Sequence, residues 1–164
     1  MSAVRIFPAT VEHLAAYSRD PSELSLMLGS PLPVGWPEFP EAIPHTIEVL
    51  EEGPGEEGWW MYFFVDESTG VLVGSGGFAG APRDGVVEIG YEIAPAFRRR
   101  GYATAAATAL VQVAVASGQV RRIVAQTLAG DPRSAGVLRA TGFDESGRTA
   151  DAEHGEIIDW QRLI

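Results

Sequence analysis

The pattern of apolar and polar positions along the chain predicts seven strands and five helices in a mixed order. Short apolar or alternating runs bounded by glycine, proline or acidic turns predict strands, whereas apolar residues spaced three or four apart predict helices. The predicted strands are residues 4–7, 59–66, 71–78, 86–93, 121–128, 143–146 and 156–163. The predicted helices are residues 10–18, 23–28, 44–52, 102–117 and 131–141. Between them, residues 29–45 are rich in proline and predict an ordered loop that carries Trp36.

The length and composition of the chain predict one domain that spans residues 1–164. A chain of 164 residues with 46% hydrophobic content is long enough to bury a sizeable core. The order of strands and helices, with no internal repeat and no linker, is typical of an α/β or α+β protein.

Charge and residue content exclude several classes of function. The net charge of −10 disfavours nucleic acid and anionic membranes as partners, because either would repel most of the surface. The chain contains no cysteine, which excludes disulfides, thiolate metal ligands and a cysteine nucleophile. His13, His45 and His154 have no ligand spacing, so no metal site is expected. With no signal-peptide pattern and no apolar run of about 20 residues, the expected location is cytoplasmic.

Most of the positive charge gathers around one predicted turn. Between Arg98 and Arg139 the chain has seven arginines and one acid, Asp131, a local charge of +6 that leaves −16 for the remainder. The segment begins with Arg98-Arg99-Arg100-Gly101-Tyr102-Ala103, between a predicted strand and a predicted helix. Converging backbone N–H groups and the positive end of a helix dipole hold phosphate at such turns. The charge pattern therefore predicts a small polyanion bound at this turn.

The motif at residues 98–103, together with the motifs on either side of it, resembles those of the GNAT superfamily of acetyl-CoA-dependent N-acetyltransferases. Residues 98–103 match the family's phosphate motif, Gln/Arg-x-x-Gly-x-Gly/Ala, and Glu88-Ile89-Gly90-Tyr91 precedes them. Asp131-Pro132-Arg133-Ser134 and Thr141-Gly142-Phe143 follow the next predicted strand. The succession is similar to the branch that contains ribosomal-protein N-terminal acetyltransferases. The resemblance implies a mixed, mostly antiparallel central sheet with helices on both faces and a splay between two strands that holds acetyl-CoA.

The resemblance also assigns residues to acetyl-CoA, the acyl-donor cosubstrate. Backbone N–H groups of the turn grip the pyrophosphate, and arginine side chains attract the phosphates. The pantetheine arm lies in a splay around a bulge at residues 92–94, where N–H groups near Glu92 and Ile93 polarise the thioester carbonyl. The residues so assigned are Ile93, Arg98, Arg99, Arg100, Gly101, Tyr102, Ala103, Thr104, Asp131 and Ser134. Asp131 stands where the family has an asparagine, and its alternative role is to cap the following helix.

Glu88 and Ser134 are the candidate catalytic residues. Glu88 shares a predicted strand face with Glu92, at the offset where the family places a base or a water-relaying carboxylate. Glu92 is the second choice of base, and transfer by proximity alone is a third option. Ser134 is the hydroxyl expected near the departing sulfur, because the tyrosine that many family members carry four residues later is Leu138 here. Its other role is to satisfy the helix N-terminus.

The acceptor is expected to be a primary amine. Trp36 and Glu92 are predicted to line its pocket, and the acidic remainder of the chain favours a protein N-terminus, a polyamine-like molecule or an aminoglycoside-like amine. The alternative from another functional class is a non-catalytic acyl-CoA-binding or sensing module, which the missing tyrosine and asparagine keep open. A homodimer is compatible with the family, although no surface stripe in the sequence requires one.

Overall fold

A computed structural model describes residues 3–164, in which five α-helices, one short 3-10 helix (Pro95–Phe97) and seven strands form. The strands are β1 (Val4–Pro8), β2 (Met61–Asp66), β3 (Leu72–Phe78), β4 (Val86–Ile93), β5 (Arg122–Leu128), β6 (Asp144–Asp151) and β7 (Gly155–Leu163). The helices are α1 (Val11–Arg19), α2 (Pro21–Leu28), α3 (Ala42–Glu52), α4 (Tyr102–Ser117) and α5 (Pro132–Ala140). Within residues 3–164, none of the helices is long and apolar enough to cross a membrane.

The strands form an open sheet in the order β1-β2-β3-β4-β5-β7-β6. Neighbouring strands are antiparallel except β4 and β5, which run parallel. A parallel pair needs a crossover connection, and α4 provides it between β4 and β5. The mixed, mostly antiparallel sheet that the family resemblance implies is therefore confirmed.

Alternating side chains of β2 divide the core between the two faces of the sheet. Tyr62 and Phe64 pack in one cluster with residues of α4 and α5, whereas Phe63 and Val65 pack in another with residues of α1, α2 and α3. Phe63 and Phe64 are both 0% exposed, so each face is closed over by its helices. The expectation of helices on both faces is confirmed.

Local signals explain why most element boundaries agree with the sequence. Thr10 caps α1, since its Oγ1 accepts the backbone N–H of His13 while His13 Nδ1 accepts that of Thr10. Gly118, in the left-handed conformation, ends α4. β6 extends to Asp151, well beyond the predicted end at residue 146, because it pairs with β7 as a long hairpin. Its mostly exposed polar side chains give no periodic signal.

Candidate active site

β4 and β5 separate partway along their length. Their parallel pairing joins residues 86–88 of β4 to residues 122–124 of β5, and Glu88 opposite Val124 is the last pair. On its other side, β4 stays paired with β3 through Ile93 without a shift of register. The predicted splay is therefore confirmed. The predicted bulge at residues 92–94 is wrong, because the separation begins after Glu88, where β5 leaves the ladder.

The opening exposes backbone groups of β4 on the β5 side. Ala94 N–H donates to Val73 C=O at 2.9 Å, which places the even-numbered residues of β4 in hydrogen-bonded pairs with β3. Because bonding alternates along a strand, the N–H groups of Tyr91 and Ile93 face the opening and that of Glu92 faces β3. The expectation that Glu92 N–H polarises a thioester carbonyl is therefore wrong, and Ile93 N–H is the candidate that remains.

A cavity of about 490 Å³ extends through this opening from one face of the sheet to the other. Residues on the α3 side include Phe39, Ala42, His45, Thr46 and Trp60. Residues on the α5 side include Thr127, Ser134 and Leu138. Glu88, Gly90 and Glu92 also line the cavity and share the face of β4 that is turned toward α3, as strand alternation predicts. The cavity therefore gives two molecules separate approaches to the same strand.

The turn before α4 combines left-handed backbone with a helix start that no side chain caps. Arg99 and Gly101 have φ of 64° and 85°, a conformation that helps successive N–H groups converge on an anion. The first bond inside α4 runs from Ala105 N–H to Gly101 C=O, so the N–H groups of Ala103 and Thr104 precede it and have no helical acceptor. A Cβ built on Gly101 would meet no protein atom within 4 Å, so the space beside the turn is open to a ligand.

The three arginines of this turn differ in their surroundings. Arg98 folds back onto the protein: its Nε donates to Ile93 C=O at 3.0 Å, and its Nη2 lies 3.8 Å from Oε2 of Glu38. Arg99 and Arg100 are exposed beside the start of α4. These two suit the expected attraction of phosphates, whereas Arg98 is engaged with a strand end and a loop.

The side chain of Tyr102 lies in the core, so the expected contact of this residue with a cofactor concerns its backbone and not its ring or hydroxyl. The residue is 7% exposed, and its hydroxyl donates to the carboxylate of Asp66 at the end of β2. Hydrogen bonds from the hydroxyls of Ser68 and Tyr102 hold the pKa of Asp66 well below its usual range. The contact fixes the start of α4 against β2.

The two carboxylates of the cavity have different partners. Glu88 is exposed, and no hydrogen bond or ion pair joins its carboxylate to another residue between 3 and 164. Glu92 is half-buried, and its Oε1 accepts the backbone N–H of Glu38 at 2.9 Å. Burial raises the pKa of Glu92, and the hydrogen bond from Glu38 opposes part of that rise. Glu88 is therefore the cavity carboxylate that no residue between 3 and 164 engages by a hydrogen bond or an ion pair.

Asp131 caps α5, which was its alternative role. Its Oδ1 accepts the Ser134 N–H at 3.3 Å, and its Oδ2 accepts the Ser134 hydroxyl at 2.8 Å. Ser134 lies at the cavity, as expected, but its proton points toward Asp131. Asp131, and not the Ser134 hydroxyl, therefore caps the helix start, whereas the role of Ser134 near a departing sulfur stays a prediction.

Tyr91 is a hydroxyl that sequence reasoning missed. It lines the same cavity, and its O–H donates to Ser134 C=O across the opening at 3.4 Å. Burial, and then the charge of Asp131, raise the pKa of Tyr91, so the phenol keeps its proton and acts as a donor. The available signal was strand alternation, which places Tyr91 on the face opposite Glu88.

Trp36 does not line the cavity, so its expected role as a wall of the acceptor pocket is wrong. It is 6% exposed, and its Nε1 donates to Ser75 Oγ at 2.8 Å. Phe39, three residues later, is 55% exposed and lines the cavity together with His45 of α3. The proline-rich composition marked the loop but gave no indication of which aromatic ring faces the opening.

Comparisons with known proteins agree with this geometry. A family model described as an acetyltransferase (GNAT) domain matches residues 5–144. The chain is 33% identical over 122 residues to the uncharacterized N-acetyltransferase YjdG of Bacillus subtilis (strain 168), and the match covers 73% of each chain.

Two solved structures share the fold. The RimL ribosomal L7/L12 alpha-N-protein acetyltransferase in complex with coenzyme A has a TM-score of 0.71 at 20% identity, over 99% of this chain and 94% of that one. A chimera of the spermidine N-acetyltransferase SpeG from Vibrio cholerae and hSSAT has a TM-score of 0.70 at 14% identity, over 99% and 96% of the two chains. At these identities the likeness concerns the fold. Because the family model covers most of the chain and a bacterial relative shares a third of the aligned residues, the chain belongs to the GNAT family of acetyltransferases.

Proposed function

We propose that this chain is an acetyl-CoA-dependent N-acetyltransferase that moves an acetyl group to a primary amine by direct attack. Residues 1–164 act as one N-acetyltransferase domain in the cytoplasm. The observation that carries the proposal is the position of Glu88, whose carboxylate lies where β4 and β5 separate and lines the cavity between α3 and α5. Acyl transfer to an amine requires a groove that aligns two reactants and a group that takes the amine's proton.

The residues around the opening fit acetyl-CoA. The left-handed turn and the N–H groups at the start of α4 suit a pyrophosphate, and the exposed Arg99 and Arg100 suit its negative charge. The N–H groups of Tyr91 and Ile93 suit the amide and carbonyl groups of a pantetheine arm, which satisfies them as a neighbouring strand would. When bound, acetyl-CoA supplies an activated thioester as the acyl donor.

On the acceptor side, Glu88 is the proposed proton acceptor. An α-amine with a pKa near 8 is roughly one-tenth neutral at pH 7, whereas a lysine amine near 10.4 is neutral in about one molecule in 2,500. The proton must therefore leave the amine, directly to Glu88 or through water, before the nitrogen can attack. Glu92 is less suited to this role because its Oε1 already accepts the Glu38 N–H.

On the α5 side, Tyr91 and Ser134 are proposed to stabilise the departing sulfur. The Ser134 hydroxyl has to turn away from Asp131, to which it donates at 2.8 Å. The Tyr91 phenol has only to leave a long bond of 3.4 Å to Ser134 C=O. Tyr91 is therefore the proposed substitute for the tyrosine that is absent at Leu138.

The proposed acceptor class follows from charge. The chain outside the basic segment carries a net −16, and Glu38, Glu88 and Glu92 lie around the acceptor side of the cavity. Two proteins of the same fold are named for an alpha-N-protein substrate and for spermidine. For this chain we favour a cationic primary amine, which is a protein N-terminus, a polyamine-like molecule or an aminoglycoside-like molecule.

A non-catalytic acyl-CoA-binding or sensing module is the second candidate. It is favoured by Leu138 in place of the family's tyrosine and by the hydrogen bond that engages the Ser134 hydroxyl. Such a module binds acetyl-CoA in the same opening but does not use Glu88.

Release of free thiol from acetyl-CoA tests the proposal. The protein is incubated with acetyl-CoA and, in turn, peptides with free N-termini, polyamines and aminoglycosides. We expect thiol release with one class of amine, together with the acetylated amine by mass spectrometry. Acetyl-CoA binding without thiol release on any of these amines would favour the sensing module.

A further inference from the structure

The loop before α3 is anchored to the core and packs against the segment that leads into residues 98–101, the turn before α4 that is called the phosphate turn below. Trp36 Nε1 donates to Ser75 Oγ on β3, and both residues are buried. A Cβ built on Gly35 would lie 3.3 Å from the ring of Pro95, so the loop backbone passes close to the residues just before Arg98. The loop therefore connects the acceptor side of the cavity with the turn that precedes α4.

Two charged side chains hold the next part of this loop at Glu38. Glu92 of β4 accepts the Glu38 backbone N–H at 2.9 Å. Arg98 lies 3.8 Å from the Glu38 carboxylate and, through its Nε, donates to Ile93 C=O at 3.0 Å. Glu38 is thus held by its backbone to β4 and by its side chain to the turn, directly before Phe39 enters the cavity wall.

These contacts matter for geometry more than for stability. The Arg98 and Glu38 side chains are 39% and 52% exposed, and an ion pair of this kind contributes little to the free energy of unfolding. Their effect is to link two parts of the site that are far apart in sequence, the proposed cofactor turn and the acceptor wall. Arg98 also fixes the carbonyl at the end of β4, next to the opening.

We infer that Glu92 and Arg98 are positioning residues that hold Phe39 and the start of α3 against the opening between β4 and β5. A ligand bound at the turn before α4 then also orders Phe39 and the start of α3, which form the acceptor wall of the cavity. The inference rests on the proposed function, because it takes coenzyme A as the ligand of the turn. It accounts for an arginine of the phosphate motif that turns away from the phosphate site. It also accounts for a cavity carboxylate that binds a backbone N–H instead of an amine.

Amide hydrogen exchange with and without coenzyme A tests the link through Arg98. In the wild-type protein, saturating coenzyme A is expected to slow exchange in residues 98–106 and also in residues 36–46. In R98Q, the protection of 98–106 is expected to remain while that of 36–46 is lost. R100Q is the matched control, since it removes the same charge two residues away without touching Glu38, and it is expected to keep both protections at saturation.

The outcomes separate the inference from the proposed function. Protection of 98–106 with unchanged exchange at 36–46 in the wild-type protein would overturn the inference alone. Protection of 36–46 that persists in R98Q as it does in R100Q would also overturn it. No protection of 98–106 by millimolar coenzyme A would overturn the proposed function and, with it, the inference.

A pair of substitutions at Glu92 tests the other anchor. Glutamine keeps an oxygen that accepts the Glu38 N–H, whereas alanine does not. We expect E92A to speed exchange at 36–46 and to raise the KM for the amine about five- to tenfold, the effect of one lost hydrogen bond, with the KM for acetyl-CoA unchanged. E92Q is expected to stay much closer to wild type in both measurements. Equal loss of kcat in E92Q and E92A, with one limb of the pH–rate profile missing, would instead make Glu92 the base.

Discussion

Glu88 and Val124 form the last pair of the parallel ladder between β4 and β5. Beyond this pair the strands separate, and strand alternation places Glu88 on the α3 side of β4 and Tyr91 on the α5 side. The proposed proton acceptor and the hydroxyl near the leaving sulfur therefore lie on opposite faces of one strand. In the proposed reaction, an amine enters from the α3 side and meets the acyl donor within the opening, and the thiol departs on the other side.

Replacing Glu88 by glutamine should slow the reaction without weakening acetyl-CoA binding. Loss of a general base typically lowers the rate by about 10²- to 10⁴-fold. Among residues 3–164, no hydrogen bond or ion pair joins the Glu88 carboxylate to the turn before α4. Steady-state kcat and calorimetric titration of coenzyme A measure the two effects. Glu153, exposed in the turn between β6 and β7, gives the control variant E153Q. Equal kcat in E88Q and E153Q would remove Glu88 from the mechanism.

Gly101 and Gly118 allow the phosphate turn to be tested with a control in the same helix. Both flank α4 in the left-handed conformation, with φ of 85° and 70°, and a Cβ at either position meets no protein atom within 4 Å. Alanine should therefore cost each site a similar backbone strain of about 1–2 kcal/mol in unfolding free energy. Only G101A should weaken coenzyme A binding, by about tenfold or more, because its methyl group enters the space beside the phosphate-binding N–H groups. Equal coenzyme A affinity in the two variants would place the phosphates elsewhere.

Tyr91 and Ser134 can be ranked as donors to the leaving sulfur. Y91F removes the phenol oxygen and keeps the ring, whereas S134A removes a hydroxyl already bonded to Asp131. A hydrogen bond to a charged group contributes about 1.5–3 kcal/mol, so Y91F should lower kcat about 10- to 100-fold and S134A should lower it less. Measurement of kcat for both variants with the same amine decides the ranking. A larger loss in S134A would return that role to Ser134.

Glu92 should make stability depend on pH in an identifiable way. Burial raises the pKa of Glu92 in the folded state, so the folded protein holds this proton more tightly than the unfolded chain does. The contribution of Glu92 to the free energy of unfolding is therefore fully present below the pKa of an unfolded glutamate, and it is lost as the pH rises through the raised value. Glutamine does not titrate. The unfolding temperature of E92Q should therefore fall less, or rise more, than that of the wild-type protein between acid and neutral pH. Parallel melting curves for the two proteins across this range would contradict the raised pKa.

The elements that could be predicted from the sequence depend on local chemistry. The Thr10 cap, the Gly118 stop and the Gly101 turn each act within a few residues, and each lies where the sequence placed it. The features that could not be predicted depend on partners distant along the chain. Trp36 is buried because Ser75 accepts its indole N–H, and no periodicity within the loop reports that contact.

The partners of the charged side chains also could not be predicted from local sequence. A run of three arginines predicts an anion site, but the direction in which Arg98 turns depends on Ile93 C=O and Glu38. Likewise, the spacing of Glu88 and Glu92 predicts one shared strand face, but it does not show which carboxylate a loop will engage. The splay itself came from the family resemblance, since strand patterns carry no signal for where a ladder ends.

Thermal unfolding with acetyl-CoA, with coenzyme A and without ligand tests the central claim most directly. A ligand at 100 times its dissociation constant adds about 2.7 kcal/mol to the stability of the folded state. For a chain of this size, that corresponds to a rise of roughly 5–10 °C in melting temperature. We expect such a rise with both ligands. An unchanged melting temperature at millimolar acetyl-CoA would contradict the claim that the opening between β4 and β5, together with the turn before α4, is an acetyl-CoA site.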